Sequence, residues 1–428
     1  MATDQWQDAE IDEDQLRNDL VGLCRIASIS GSAAEPEIQR FLARTWRDEG
    51  LDVDEWDIDV AALSADPEFP GSEVERRTAV GVTATLGAHG PGPTLLLNGH
   101  TDVVPVGDRD AWTTDPFEPR LSEVDGDRVV VARGSADMKA GVAAMWAAVR
   151  AVQRSGIVLR GRVVMAAVSG EEDGGLGTFA LLRRGITADL CVITEPTGLA
   201  VIPANGGALT FRLVVRGRAA HASRRTEGVS AIDAFLPVLA ALHELERRRN
   251  AVVDPLMQRW PIAYPISIGT VRGGDWPSSV PDRLVAEGRL GVALDESEAD
   301  ARAGFEAAVF AACRQDPWLA AHPVEVEWWG GQFASGRLPE SSDLAARMST
   351  AHRAVGGGPQ GSWGAPYGSD LRLLSGMGGI PTLHYGPGDA LLAHAPDESV
   401  SLAEVATAAR ALALLALDVC GIASPTGK

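Results

Sequence analysis

Three apolar runs in this chain stop abruptly on acidic or imidazole-bearing residues, and that pattern restricts the fold more than any other. TLLLN (94–98) runs into Gly99-His100-Thr101-Asp102, RVVMAAV (162–168) into Ser169-Gly170-Glu171-Glu172-Asp173, and CVIT (191–194) into Glu195-Pro196. A short continuous apolar run bounded by turn residues reads as a strand buried on both faces. Between the runs lie helical periods, DMKAGVAAMWAAVRAVQRSG from Asp137 and TFALLRRG from Thr178. This alternation predicts an α/β domain in which helices cover a mixed, largely parallel sheet. In such a sheet the carboxyl ends of the strands share an edge, and ligands bind beyond it.

At 428 residues the chain is too long for one comfortable core. The segments IDEDQLRNDLVGLCRIA and AAEPEIQRFLARTWRDEG predict a helical hairpin, and residues 61–77 read as a polar surface loop. From Gly206 the order becomes β-α-β-β-α-β, that of a ferredoxin-like α+β unit. Beyond residue 331 the first style resumes, ending in a helix from Leu402. The reading is a discontinuous domain, 1–205 with 331–428, carrying an inserted domain at 206–330.

Acidic groups outnumber basic ones, 58 to 38, for a formal net charge of −20, which argues against nucleic acid or an anionic membrane as partner. No apolar run reaches the ~20 residues of a bilayer span. The opening MATDQWQDAEIDEDQ is too acidic for a secretory signal, so a cytoplasmic protein is expected. Cys24, Cys191, Cys313 and Cys420 form no CxxC pair and are expected to be buried free thiols.

The loops after the strands would bring His100, Asp102, Glu171, Glu172 and Glu195 to one edge, joined by Asp137 of ARGSADMKAG and His394 of LLAHAPDE. A lone histidine or glutamate in a loop is usually only hydrogen-bonded or solvated. So much carboxylate in one place, however, repels itself unless cations hold it. Nitrogen and oxygen donors without thiolate point to zinc, cobalt or manganese. Asp137 can bridge two divalent ions, with His100 and Glu195 on one and Glu172 and His394 on the other. Asp102 lies where its carboxylate can orient the His100 ring. Glu171 is then free to take a proton from the attacking water and return it to the leaving amine.

GHTDVVPVGDRDAWTTDPFEP, ARGSADMKAG, SGEEDGG, TEPTGL, NGG, GRAAHAS, YGSD and LLAHAPDE together resemble the M20 metallopeptidase family, especially its acetylornithine deacetylase and succinyl-diaminopimelate desuccinylase branch. The resemblance covers essentially the whole chain. It implies a zinc-peptidase-like catalytic domain, and it gives the five ligands and Glu171 the roles just described. It also implies that the inserted domain is a lid that forms a homodimer, with His221 steadying the tetrahedral intermediate. Arg289, at a strand end, would clamp a substrate carboxylate, and Asn205, Gly368 and Ser369 would face the substrate. Ser279 departs from the pattern, standing where many relatives have asparagine, and Arg372 is a further candidate arginine. The expected activity is hydrolysis of the amide bond of an N-acyl amino acid or similar small amide. A metallo-carboxypeptidase or dipeptidase, or a binding protein that kept the fold, are the alternatives.

Overall fold

The computed structural model describes residues 10–87 and 90–423, so residues 1–9 of the acidic opening and the last residues of the tail lie outside the described residues. The chain forms two units. One comprises the residues up to Pro203, Arg337–Trp363 and those from Asp370 onward; the other comprises Ala204–Gly336 and Gly364–Ser369.

The first unit is organised by a nine-stranded sheet. Its centre is parallel: Arg162–Val168, Thr94–His100, Leu190–Ile193 and Thr382–His384 lie side by side. Antiparallel strands Ala79–Gly87 and Asp52–Ile58 extend it on one side, and Val201–Asn205 pairs antiparallel on the other. The period of two along each central strand divides the interior into two cores. Leu95, Leu97, Val163, Met165, Ala167 and Val192 join a cluster with the helices Glu13–Cys24, Glu35–Asp48, Ala140–Arg154 and Leu402–Cys420. Leu96, Val164, Ala166, Val168, Cys191 and Ile193 face the other way, onto Leu181, Leu371, Leu374 and Ile380. Burying a Leu or Val side chain contributes about 1.5–3 kcal/mol, so a strand apolar on both faces is held from both sides. This is why these short runs stay in the middle of the sheet.

The second unit is a four-stranded antiparallel sheet in the order Ile266–Gly273, Arg283–Val292, Gly207–Arg216, Glu325–Phe333. Helices Ala231–Arg249 and Glu298–Cys313 complete the ferredoxin-like β-α-β-β-α-β order. Leu209, Phe211, Leu213 and Val215 alternate into its core, where Phe211 and Phe305 rings lie 4.5 Å apart.

Several elements differ from the sequence reading. Val60–Ser64 is a short helix capped by Asp59, inside what reads as surface loop. A three-stranded sheet of Arg120–Val124, Asp127–Val131 and Ser399–Ser401 was not legible, because its first strand alternates weakly and its third has only three residues. All four cysteines are free and buried. Among the described residues no helix is long and apolar enough to cross a membrane.

One close approach fixes the helix that follows Asp137. A Cβ added at Gly141 would lie 1.9 Å from the carbonyl oxygen of Thr194, at the end of the neighbouring strand, whereas Ala140 beside it is accommodated. Gly141→Ala is therefore expected to destabilise the protein by about 1–3 kcal/mol through overpacking. Chemical denaturation checks this, and an unchanged midpoint would contradict the close packing.

Candidate metal centre

The centre assembles where the parallel strands end together. His100 closes Thr94–His100 and pairs with Val168, the last residue of the adjacent strand. The chain then turns through Gly170, Gly174 and Gly175, all at positive φ, and presents Glu171 and Glu172. Glu195 lies two residues beyond Leu190–Ile193. Asp137 comes from the irregular turn Ser135–Lys139, and His394 from a turn in which it adopts φ 63°.

Asp137 occupies the middle. Its Oδ1 lies 3.1 Å from His100 Nε2, and its Oδ2 lies 3.5 Å from His394 Nε2. His394 Nε2 is also 3.1 Å from Glu172 Oε2, and His100 Nε2 is 4.0 Å from Glu195 Oε2. Ligand atoms of His100, Glu171 and Glu195 lie within 4.8 Å of one another, as do those of His100, Asp137 and Glu172. Donors bound at about 2.0–2.2 Å around one ion stand about 3–4 Å apart, so these spacings suit divalent cations.

The electrostatics agree with the geometry. Burial pushes the carboxyls of Glu171 and Glu172 up, and that of Glu195 to about 8. Hydrogen bonds to Asp137 and Glu172 push His394 up to about 10. Burial opposes a proton on His100, yet the Asp137 bond and the charge of Glu195 raise its pKa well above the usual value. Burial likewise opposes charge on Asp137, but the two histidines hold its carboxyl well below the ordinary range. Buried carboxylates this close must be neutralised by protons or by cations, and the donor set fits two divalent ions.

Asp102 acts differently from the expectation. His100 Nδ1 is 3.0 Å from the carbonyl oxygen of Asp102, whereas the carboxylate Oδ1 is 3.8 Å away. That carboxylate instead accepts from Ser30 Oγ and from the backbone N–H groups of Glu171 and Glu172. It therefore positions the glutamate turn, while its own backbone orients the ring.

Four further residues belong to this setting. Glu398, 1% exposed, accepts from the backbone N–H groups of Gly134, Ala136 and Asp137. Arg76, in the presumed surface loop, is buried between Glu35 and Asp173, and Asp173 directly follows Glu172. Asp370 is buried, and its charge works on both Glu171 and Glu195. Glu398 and Asp370 lie inside quoted motifs, LLAHAPDE and YGSD, whereas Arg76 carried no signal in the sequence. Arg372 is buried and donates to the carbonyl of Gly174, which ties it to the same turn.

The remaining expected residues lie in the second unit. His221 and Ser279 pair across the two-stranded ribbon Ala220–His221 and Ser279–Val280. Arg289 sits within Arg283–Val292 rather than at its end, because the strand continues through Val292 opposite Gly207. Its guanidinium lies 5.7 Å from the Phe333 ring centre, and Gly368 packs closely on the same ring. Asn205 is buried and donates to the carbonyls of Gly206 and Tyr367, and Ser369 is buried beside them in the chain.

Against this geometry, the sequence profile of peptidase family M20/M25/M40 matches residues 96–418. The chain belongs to the M20 peptidase family. Family membership and the centre together make it a metal-dependent amidohydrolase. Among curated M20-like relatives, an N-formyl-4-amino-5-aminomethyl-2-methylpyrimidine deformylase of Halalkalibacterium halodurans is 29% identical over 344 residues, 76% of this chain and 79% of the relative. A succinyl-diaminopimelate desuccinylase of Dechloromonas aromatica is 36% identical over 187 residues, 41% of this chain and 48% of the relative. Of solved structures, the dipeptidase Dug1p of Saccharomyces cerevisiae superposes with TM-score 0.75 at 15% identity, covering 97% of this chain and 98% of that one. A Staphylococcus aureus tripeptidase gives TM-score 0.72 at 20% identity, covering 96% and 99%. At these identities the structural likeness establishes the M20 fold.

The purified protein is expected to take up two divalent ions per chain, and His394→Ala to take up fewer without loss of fold. Elemental analysis after equilibrium dialysis, alongside circular dichroism, reads both. An unchanged metal-to-protein ratio would remove His394 from the ligand set.

Proposed function

We propose that this protein hydrolyses the amide bond of a small N-acyl amine, an N-acyl amino acid in the first instance, releasing a carboxylate and a free amine. The observation that carries the reading is Asp137, whose two oxygens address two histidines, one at a strand end and one in a distant turn. His100, Asp137 and Glu195 would hold one ion, and Asp137, Glu172 and His394 the other. Zinc is the first choice for this donor set, with cobalt or manganese as alternatives. When bound, the ions supply Lewis-acid stabilisation of the polarised carbonyl and a lowered pKa for water.

The chain's own groups do the rest. Glu171, buried to 8% exposure beside the ligands, takes the proton from the attacking water and returns it to the leaving amine. His221 Nδ1 lies 2.8 Å from Ser223 Oγ and 3.2 Å from the backbone nitrogen of Ser223, so Nε2 is the nitrogen that would face a substrate. An Nε2–H donor suits a developing oxyanion. Arg289 would bind a substrate carboxylate, with Asn205, Gly368 and Ser369 shaping the contact and Ser279 alongside His221.

A homodimer through the inserted domain fits the exposed apolar side chains of Ile232, Leu236 and Val271. Val271 lies on Ile266–Gly273, an edge strand of the small sheet. Open edges and apolar patches of this kind favour pairing with another chain.

A second reading is hydrolysis of the formamide of an N-formyl-aminomethylpyrimidine-type substrate, releasing formate and the amine. It is favoured by the length of the match, since relatives so named span 76% and 86% of this chain, whereas the quoted desuccinylase spans 41%.

Amine release from N-acetyl, N-succinyl and N-formyl substrates and from dipeptides, by zinc- or cobalt-loaded protein with chelated protein as blank, separates these readings. Release from dipeptides alone would replace deacylation by peptidase action. Glu171→Ala should lower kcat by about 10²–10⁴ with metal retained, and normal turnover would remove it as the base. Mixed with a His221→Ala variant it should recover activity through heterodimers; no recovery, with subunit exchange shown, would place His221 in its own subunit's site or outside the chemistry.

A further inference from the structure

We propose that the buried Arg133–Glu398 pair is a positioning element that fixes the bridging Asp137 and the remote His394 relative to one another, and so sets the affinity of the ion on the His394 side. This rests on the ligand reading above. Each partner holds one of the two ligand turns. Glu398 Oε1 accepts from the backbone N–H of Ala136 at 2.8 Å and of Asp137 at 2.9 Å. Its Oε2 accepts from Gly134 N–H at 3.0 Å and from Arg133 Nη1 at 2.7 Å. Arg133 in turn donates to the carbonyls of His394 and Ala395, at 3.3 Å each.

The pair is enclosed as well as connected. Its side chains are 2% and 1% exposed, and the Arg133 guanidinium lies 5.0 Å from the ring centre of Trp112. The backbone on either side is pinned too. The carbonyl of Glu398 accepts from Ala132 N–H and Ser135 Oγ, and Ser399–Ser401 continues as a strand against Asp127–Val131. A carboxylate with four donors on two oxygens has one satisfactory orientation. A guanidinium fork reaching two successive carbonyls has the same property.

The asymmetry between the two ions follows from which ligands depend on the pair. On one side, His100 and Glu195 are held by the ends of their own strands, and only Asp137 leans on Glu398. On the other side, Asp137 leans on Glu398 and His394 leans on Arg133. Outer partners of this kind typically alter metal affinity 10–100-fold.

Glu398→Gln puts an amide N–H₂ where one oxygen accepted two hydrogen bonds, at nearly constant shape. Competition titration of the chelator-stripped protein with Co2+, followed by the visible d–d absorption, reads each ion in turn. The expected result is a second dissociation constant raised about 10–100-fold, with an altered second-ion spectrum and a nearly unchanged first ion. Arg133→Lys, which keeps the charge but cannot reach both carbonyls and the carboxylate together, should show the same pattern and serves if Glu398→Gln fails to fold.

Arg150→Met is the control, since it breaks a comparably buried pair with Asp19 among the helices of the same unit. It should lower Tm yet leave both dissociation constants in place. Variants at Glu398 and Arg133 that lose Tm as the control does, with both constants within about twofold of wild type, would overturn the proposal; equal weakening of both ions would overturn its assignment to the His394 side. Wild-type protein that binds fewer than two ions would instead overturn the ligand reading itself.

Discussion

Carboxylate repulsion at one sheet edge is the constraint on which the rest of this structure depends. Glu171, Glu172, Glu195 and Asp137 are brought together away from bulk solvent, and burial pushes three of the four toward their neutral forms. Only Asp137, flanked by two histidines, is driven the other way. Such a cluster persists only inside a scaffold that cannot relax. The central strands, packed on both faces, and the close passage of Gly141 under Thr194 supply that rigidity.

The surrounding polar network shares out the task. Asp102 grips the glutamate turn through its side chain and steadies His100 through its carbonyl. Arg76 joins the Glu35 helix start to Asp173, and so braces the same turn from the opposite side. Glu398 and Arg133 hold the turns of Asp137 and His394. The carboxylates of Asp102, Asp173 and Glu398 are buried and each accepts from several donors, the condition under which polar interiors rigidify a site rather than weaken it.

Much of this was legible in the sequence because strand ends announce themselves. A run such as TLLLN has nowhere to go but the interior, and a histidine and an aspartate straight after it must emerge at the strand's carboxyl end. The inserted ferredoxin-like order was readable for the same reason, from alternating apolar residues such as Leu209, Phe211, Leu213 and Val215. What was not legible depends on pairing between distant segments. Arg76 in a polar loop looks solvated until Glu35 and Asp173 close around it, and Glu398 looks like one more surface acid beside a ligand. Asp102 shows the finer limit: spacing placed it at the right histidine, but which of its oxygens makes the contact is decided by backbone geometry. The strand-end placement of Arg289 rested on the family resemblance alone, whereas the run RLVAEGRLGVAL itself continues past it.

The scatter of the ligands along the chain has a consequence for when metal can be acquired. His100 and His394 lie at opposite ends of the catalytic sequence, and the inserted domain is threaded between them. An unfolded chain offers only neighbouring pairs such as Glu171 and Glu172, and no local chelate. The ions therefore meet a finished site or none. Free metal concentration then acts as a thermodynamic weight on the native state alone, by mass action. At equilibrium the occupancy of this centre would follow the pool of exchangeable divalent ions.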